Sequence, residues 1–519
     1  MILEELVGTL VSLGSSLVTQ VPRISRENLQ RHYWLIFEQS SEDKEQQQGL
    51  IHREYEPHEP ADVPYYEELN VPVLTNTESR SNRGVCESLR RSFQVNFVLL
   101  LAVVLLGLVA IALVYVDLST TNSCFEWQHF NHSIPSSKKA LKTMGASLTA
   151  LPLYLWFPVS AAMLWGLKEF KENYLSCLFV SCFMLIIRIV CRAVLFDQVT
   201  TSTKYRLVDN SLFVFTILLS IYLAARQFKQ VNPTSDSLCH IFFCLSFAFL
   251  ASIVLSYIYT SIIAEQFKET QNKIKKAMIA ALTPGMVLLP TAIAKYLVLR
   301  RSSELIPADK AFVMCYFIRG GAIGLYRTMQ SDFQNIWLFT GFSLLHGVSN
   351  VLSKAALNLR IKMWKCFIGC ANKTRCGATL EVLPADTPRI RRFNADLEIQ
   401  NILSEYTTVI LSQAYLVLYL VTNFNVVHPW EIIKGSLVRI CISTAIDFVF
   451  NIISVFIQVH FYDIPLRRVW FKYWKRHVIA NSLVIICMVS YFGRPLAGVF
   501  EAREDRSLEY KLRNCTSLI

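Results

Sequence analysis

The stretch VNFVLLLAVVLLGLVAIALVYV, Val95–Val116, runs for 22 residues without a charged side chain. The hydrocarbon core of a bilayer is about 30 Å thick, and about twenty consecutive apolar residues in a helix are enough to cross it. Downstream of this segment the chain repeats the pattern. Further apolar runs are Ala146–Leu167, Leu175–Phe196, Leu207–Ala225, Leu238–Ala264, Ala277–Leu299, Ala311–Tyr326, Ile336–Leu357, Ile399–Val421, Leu437–Phe461 and Val478–Phe500. The seventh is short, and Gly493-Arg494-Pro495 interrupts the eleventh. The expected fold is all-α, a polytopic transmembrane helical bundle of about 10–11 spans over residues 93–500. A cytosolic region, 1–92, precedes it and a short polar tail, 501–519, follows.

Composition agrees. Of 519 residues 53% are hydrophobic and 17% charged, with a net charge of +12. A soluble domain carries about a quarter charged residues, so much of the usual water-facing surface is missing. Residues 1–78 hold 14 Asp/Glu against 5 Lys/Arg, and the basic excess lies in short clusters between apolar runs. That is the pattern of a membrane surface, with membrane lipids as partners. No zinc-finger, RNP or Walker-type motif accompanies it, which argues against nucleic acid. Residues 37–78 are too polar and acidic to offset ordering entropy and are expected to be a disordered cytosolic tail. Within it Tyr66-Glu-Glu-Leu69 fits a tyrosine-based signal read by a sorting adaptor.

Orientation follows from the bias of Lys and Arg between loops. With the N-terminus in the cytosol and eleven crossings, the inner stretches carry 24 Lys/Arg and the outer ones 9. This puts the chain in the plasma membrane or an endomembrane with a cytosolic N-terminus. It also puts the sequon at Asn131 outside, open to glycosylation. The basic loop ending Lys273-Ile-Lys275-Lys276 is the feature that fits least.

Ionisable residues at membrane depth are expensive and mark candidate sites. In the ninth segment Asn401, Glu405, Thr408, Ser412, Tyr415 and Tyr419 fall on one stripe about 80° wide at the helical repeat. Arg439, Ser443, Asp447, Asn451, Ser454 and Gln458 line one face of the tenth, and Ser343, His346, Asn350 and Ser353 one face of the eighth. Lipid cannot satisfy such faces, so they must meet one another or water. For the neutral residues, simple interhelical packing accounts for the pattern. Glu405 and Asp447 require a cation, a proton or water. Arg188 and Arg192, one turn apart in the third segment, share a face with Cys177 and Ser181. With Arg319 and Arg439 the deep cations outnumber the deep carboxylates, which favours an anionic solute or head group.

Thr283-Pro284-Gly285 and Pro290 interrupt the sixth segment and Arg319-Gly320-Gly321 and Gly324 the seventh. Such breaks can free backbone for a substrate, but Gly320 and Gly324 fit a small-xxx-small packing motif and packing is the favoured explanation. Cys366, Cys370 and Cys376 lie at a membrane edge beside Lys362 and Lys365 and fit palmitoylation. Their spacing does not suit zinc, and neither a metal nor a cofactor is expected. The tail offers Asn514-Cys-Thr516 for glycosylation if outside and Ser517-Leu518-Ile519 for a PDZ domain if inside. The leading expectation is a transporter or channel-like protein for a small solute. Its pathway residues are Glu405, Asp447, Arg439, His346, Arg188 and Arg192. The rivals are an intramembrane lipid-modifying enzyme, acyltransferase-like and centred on His346, and a receptor or scaffold without transport.

Overall fold

The computed structural model describes residues 84–121, 136–194, 203–232, 237–301, 306–356, 387–423 and 428–500. Tyr66–Leu69, the acidic stretch 37–78, Asn131, Cys366, Cys370, Cys376 and the tail 501–519 lie outside the described residues. The helices are α1 (Val85–Thr121), α2 (Ser136–Tyr154), α3 (Trp156–Trp165), α4 (Leu167–Asn173), α5 (Leu175–Val194), α6 (Thr203–Val231), α7 (Leu238–Ile258) and α8 (Ala264–Glu269). They continue with α9 (Lys273–Leu282), α10 (Leu288–Tyr296), α11 (Phe312–Asp332), α12 (Ile336–Ala355), α13 (Pro388–Asn423), α14 (Pro429–Phe461) and α15 (Leu466–Gly498). No strand occurs among the described residues.

Helix starts follow local chemistry. The Asn272 side chain accepts from the Ile274 amide at 2.9 Å to open α9, and that of Asn335 from the Trp337 amide at 2.8 Å to open α12. Each supplies an acceptor to an amide that has no partner in the first turn. Pro429 opens α14, where its missing N–H costs nothing. The sixth segment is broken as expected: a 3-10 turn at Thr283–Val287 separates α9 from α10. A π-turn at Tyr259–Ile263, which no glycine or proline announces, joins α7 to α8.

Two expected interruptions are absent. α11 passes through Arg319-Gly320-Gly321 and Gly324 as one helix. Gly320 and Gly324 face Val484 and Met488 of α15, so their small size admits a neighbouring helix without loosening the backbone. α15 continues past Gly493, and its departure from helical geometry falls at Tyr473 (φ −126°, ψ 20°).

Among the described residues nine helical stretches are long and apolar enough to cross a membrane. Of the eleven segments named from the sequence, α11 and α13 are not among them. Both are buried along most of their length, α13 against α1, α11, α14 and α15. A helix screened from lipid by other helices has no need of an apolar surface, so composition fails where burial is greatest. Their 21 and 36 residues correspond to about 31 and 54 Å, enough to cross.

The contacts also give direction. Arg319 meets Asn401 at 3.2 Å and Ser331 meets Ser412 at 3.1 Å, so α11 and α13 run parallel. α12 runs against them, since Asn350 reaches Glu405 while Lys354, one turn later, reaches Glu398. α14 is also antiparallel: Arg439 caps the Ser331 carbonyl at one end and Gln458 reaches Glu398 at the other. α15 runs with α11, because Asn481 donates to Tyr316 while Met488, further on, packs by Gly324. This alternation is what consecutive crossings require. The chain is an integral, multi-pass helical membrane protein.

Candidate functional site: a ladder of buried acid–base pairs

Four helices, α11 to α14, turn their polar faces to one another. The α13 stripe supplies Glu398 and Glu405, seven residues or about two turns apart and so on the same face. α12 supplies His346, Asn350 and Lys354 at the same helical repeat. The result is a ladder with three acid–base rungs.

At one end of the seam Arg327 of α11 donates to Asp447 of α14 at 2.7 Å, with both side chains 1% exposed. The Arg327 guanidinium also donates to Gln330 Oε1 at 3.0 Å and Ser443 Oγ at 3.2 Å. Gln330 in turn donates to Ser343 Oγ at 2.6 Å and to the Phe339 carbonyl at 2.8 Å, which ties in α12. In the middle, His346 Nε2 faces Glu405 Oε1 at 3.5 Å, and Asn350 donates to the same oxygen at 3.3 Å. The Tyr326 ring stacks on the imidazole with centroids 5.4 Å apart. At the other end Glu398 pairs with Lys354 and accepts from Gln458 at 2.8 Å, Ser454 at 3.2 Å and Asn401 at 3.3 Å. Arg327 Nε, Asp447 Oδ1 and Gln413 Oε1 have no hydrogen-bond partner among the described residues.

Beyond the Glu398 rung lies a layer of denser charge. Asp396, fully buried, is held by Arg392 at 2.8 Å, His477 at 3.0 Å and Arg476 at 3.3 Å, and Arg476 also reaches Asp309 at 2.8 Å. Arg391 pairs with Asp463 at 3.3 Å. This layer fastens α13, α15 and the turn before α11 at one face of the bundle.

Of the residues singled out from the sequence, Glu405, Asp447 and His346 meet in the ladder. Arg439 closes its far end, donating to the Ser331 and Gln334 carbonyls at 2.9 and 3.0 Å. Arg188 lies elsewhere. It makes a bidentate pair with Asp209 of α6 at 2.5 and 2.8 Å, and Cys177 and Ser181 of the same face meet Ser220 of α6. That face of α5 is therefore turned to α6 rather than to α13, and Arg192, one turn further, is partly exposed. A small, mostly apolar pocket lined by Trp156, Phe213, Tyr259, Phe317 and Phe492 among others includes no member of the rungs. Among the described residues no group of His, Cys, Asp and Glu is arranged to hold a metal ion.

Sequence reasoning missed Arg327, Lys354 and Glu398. Arg327 lies one residue past the end of a short apolar run, and Glu398 falls in a stretch that reads as loop but is helical from Pro388. The heptad step from Glu405 back to Glu398, and the step of four from Asn350 to Lys354, are the signals that identify them. No family model, curated protein or solved structure matches this chain.

Proposed function

We propose that this protein is a transporter or channel-like carrier of a small anionic solute, with its pathway along the α11–α14 seam. The observation that carries the reading is three carboxylate–base rungs stacked between four helices in the interior of a membrane protein. Buried ion pairs are poor stabilisers, because desolvation offsets most of the attraction, and apolar replacements often serve as well. Intramembrane ionisable residues accordingly mark solute and ion pathways. Around the rungs the four basic residues Arg319, Arg327, Arg439 and Lys354 stand against the three carboxylates Glu398, Glu405 and Asp447, an excess of positive charge before His346 is counted. The unpartnered Arg327 Nε and Asp447 Oδ1 are atoms that a polar solute could engage. Broken helices at Thr283–Val287 and Tyr259–Ile263 fit the irregular backbone of transporters. The N-terminus is cytosolic in this reading, in the plasma membrane or an endomembrane, and Tyr66–Leu69 is a docking segment for a sorting adaptor.

The test is movement of chloride, small carboxylates and phosphate into liposomes holding the purified chain, and chloride current in cells. Glu405→Gln and Asp447→Asn are compared with the parent at matched surface expression. Flux above protein-free liposomes that falls in both variants supports the reading. No flux of any of these anions, or equal flux in all three proteins, overturns it.

A second reading draws on the His346–Glu405 contact, since a carboxylate beside an imidazole is the orienter-and-base arrangement of acyl-transfer enzymes. An acyl-transfer activity abolished in a well-expressed His346→Ala variant would favour it.

A further inference from the structure

The ladder can change its charge in one place. Glu398 is matched with the Lys354 ammonium and Asp447 with the Arg327 guanidinium. The middle rung sets a carboxylate against an imidazole, the side chain whose ordinary titration falls nearest neutrality. With one proton on His346–Glu405 the three rungs sum to zero. With none the middle rung carries one negative charge, and with two it carries one positive charge.

Every element packed around the rung contributes to this balance. α13 presents Glu405, and one rung away Glu398; α11 presents Arg327 and the Tyr326 ring. α14 presents Asp447 and α12 presents Asn350 and Lys354, while Arg319 of α11, on Asn401, and Arg439 of α14, on the Ser331 and Gln334 carbonyls, stand outside the three rungs and do not enter their sum. Arg327 holds Asp447 through Oδ2 and Lys354 holds Glu398, so of the three rungs only His346–Glu405 sets a carboxylate against an imidazole rather than a guanidinium or an ammonium. Asn350 donates to Glu405 Oε1, the same oxygen that His346 Nε2 faces at 3.5 Å without a hydrogen bond. His346 is also the more accessible of the pair, at 15% exposure against 6% for Glu405.

We propose that the His346–Glu405 rung is a proton-binding site and that the proton is the coupling ion of the carrier. The inference rests on the anion-transport reading for its consequence, although the site itself stands on the geometry. In the one-proton form imidazolium faces carboxylate. A second proton, taken from water, forms an O–H bond on Glu405 and leaves the rung with a single positive charge. A monovalent anion entering the seam brings one negative charge, and the sum returns to zero. Release of the anion lets the Glu405 O–H bond break and the proton leave to water. Charge balance over the three rungs in a low-dielectric interior thus pairs one proton with each anion charge, moving in the same direction.

The experiment uses the full chain in nanodiscs with the proton as the only ligand. Dicyclohexylcarbodiimide, which reacts with protonated carboxyl groups in apolar surroundings, is applied between about pH 4 and pH 9, where perturbed carboxylates and imidazoles titrate. The labelled peptide is then quantified by mass spectrometry. The expected result is labelling of Glu405 that falls about tenfold per pH unit above its midpoint, as a single-proton site requires. His346→Gln should move that midpoint, because it removes the facing cation. Labelling that is absent or flat across the range in the parent chain overturns the proposal, with no variant needed. Because the measurement involves no solute, its outcome separates from the transport reading. A silent Glu405 with anion flux sinks the proton site alone, and a titrating Glu405 without anion flux sinks the carrier alone.

Discussion

Arg327 and Asp447 sit 120 residues apart in the chain and 2.7 Å apart in space, each almost fully buried, and join α11 to α14. Removing one partner leaves an uncompensated charge with no water to receive it. Arg327→Met is therefore expected to destabilise the protein by about 3–5 kcal/mol, and Arg327→Met with Asp447→Leu to regain most of that loss. Thermal unfolding of the single and double variants in detergent measures this directly. If the double variant is as unstable as the singles, the seam depends on the pair for more than charge neutrality. Flux lost in a stable double variant would place the pair in the pathway.

Gly347 packs against the Phe450 ring where α12 meets α14, one residue from His346. A methyl group there would overlap ring carbons and the Phe450 Cβ, which cannot swing aside. Gly324 faces the end of Met488, a flexible chain that can move away. Gly347→Ala is thus expected to cost about 1–3 kcal/mol by pushing the two helices apart. Gly324→Ala should cost clearly less, and unfolding midpoints in that order support the packing geometry. The reverse order would refute it.

Much of this architecture is legible in the chain because lipid imposes one rule on every span. Runs of about twenty apolar residues locate α5 and α12 to within two residues at each end, and fall inside the longer α1 and α14. The rule weakens where helices are hidden from lipid. The apolar run of α11 stops at Tyr326 because Arg327, Gln330 and Asp332 look like loop, yet each is buried in protein. α13 begins at Pro388, eleven residues before the apolar run, for the same reason. The polar stripes of α12 to α14 do predict which faces meet. Partner choice is not readable, since Arg188 pairs with Asp209 of the next helix and the seam's own arginine falls outside every apolar run. A stripe gives a direction around one helix and carries no information on the depth of its neighbour's charges.

Orientation has its own test. The face holding Asp309, Arg391, Asp396, Asp463 and Arg476 also holds the ends of the segment 357–386, and in the orientation proposed from the positive-inside bias that face is cytosolic. Tags in that segment should stay inaccessible on intact cells, and Cys366, Cys370 or Cys376 should carry an acyl group that the triple Cys→Ser variant loses. Asn131, outside in this scheme, should be glycosylated, with a mobility shift abolished by Asn131→Gln. Surface labelling of the 357–386 segment in intact cells would reverse the orientation.

The sharpest test of the seam keeps its charge and its hydrogen bonds while removing its chemistry. In His346→Gln with Glu405→Gln the middle rung is neutral, as it is with one proton in the parent. The amide carbonyl that replaces the Glu405 carboxylate can still accept from Asn350, and either new amide can donate to the other across the rung. The outer rungs, Lys354–Glu398 and Arg327–Asp447, are untouched. Interhelical hydrogen bonds within membranes average about 0.6 kcal/mol, so exchanging one set for another should change stability by about 1 kcal/mol or less. A rung that only packs would therefore lose nothing. A rung that binds protons or contacts an anion would lose both abilities, because an amide neither titrates nor becomes cationic. Anion flux in proteoliposomes is expected to fall by about tenfold or more, the equivalent of about 1.4 kcal/mol in the barrier, with the unfolding midpoint nearly unchanged. A double variant that moves anions at the parental rate would make these helices a scaffold and send the search for the pathway elsewhere in the bundle.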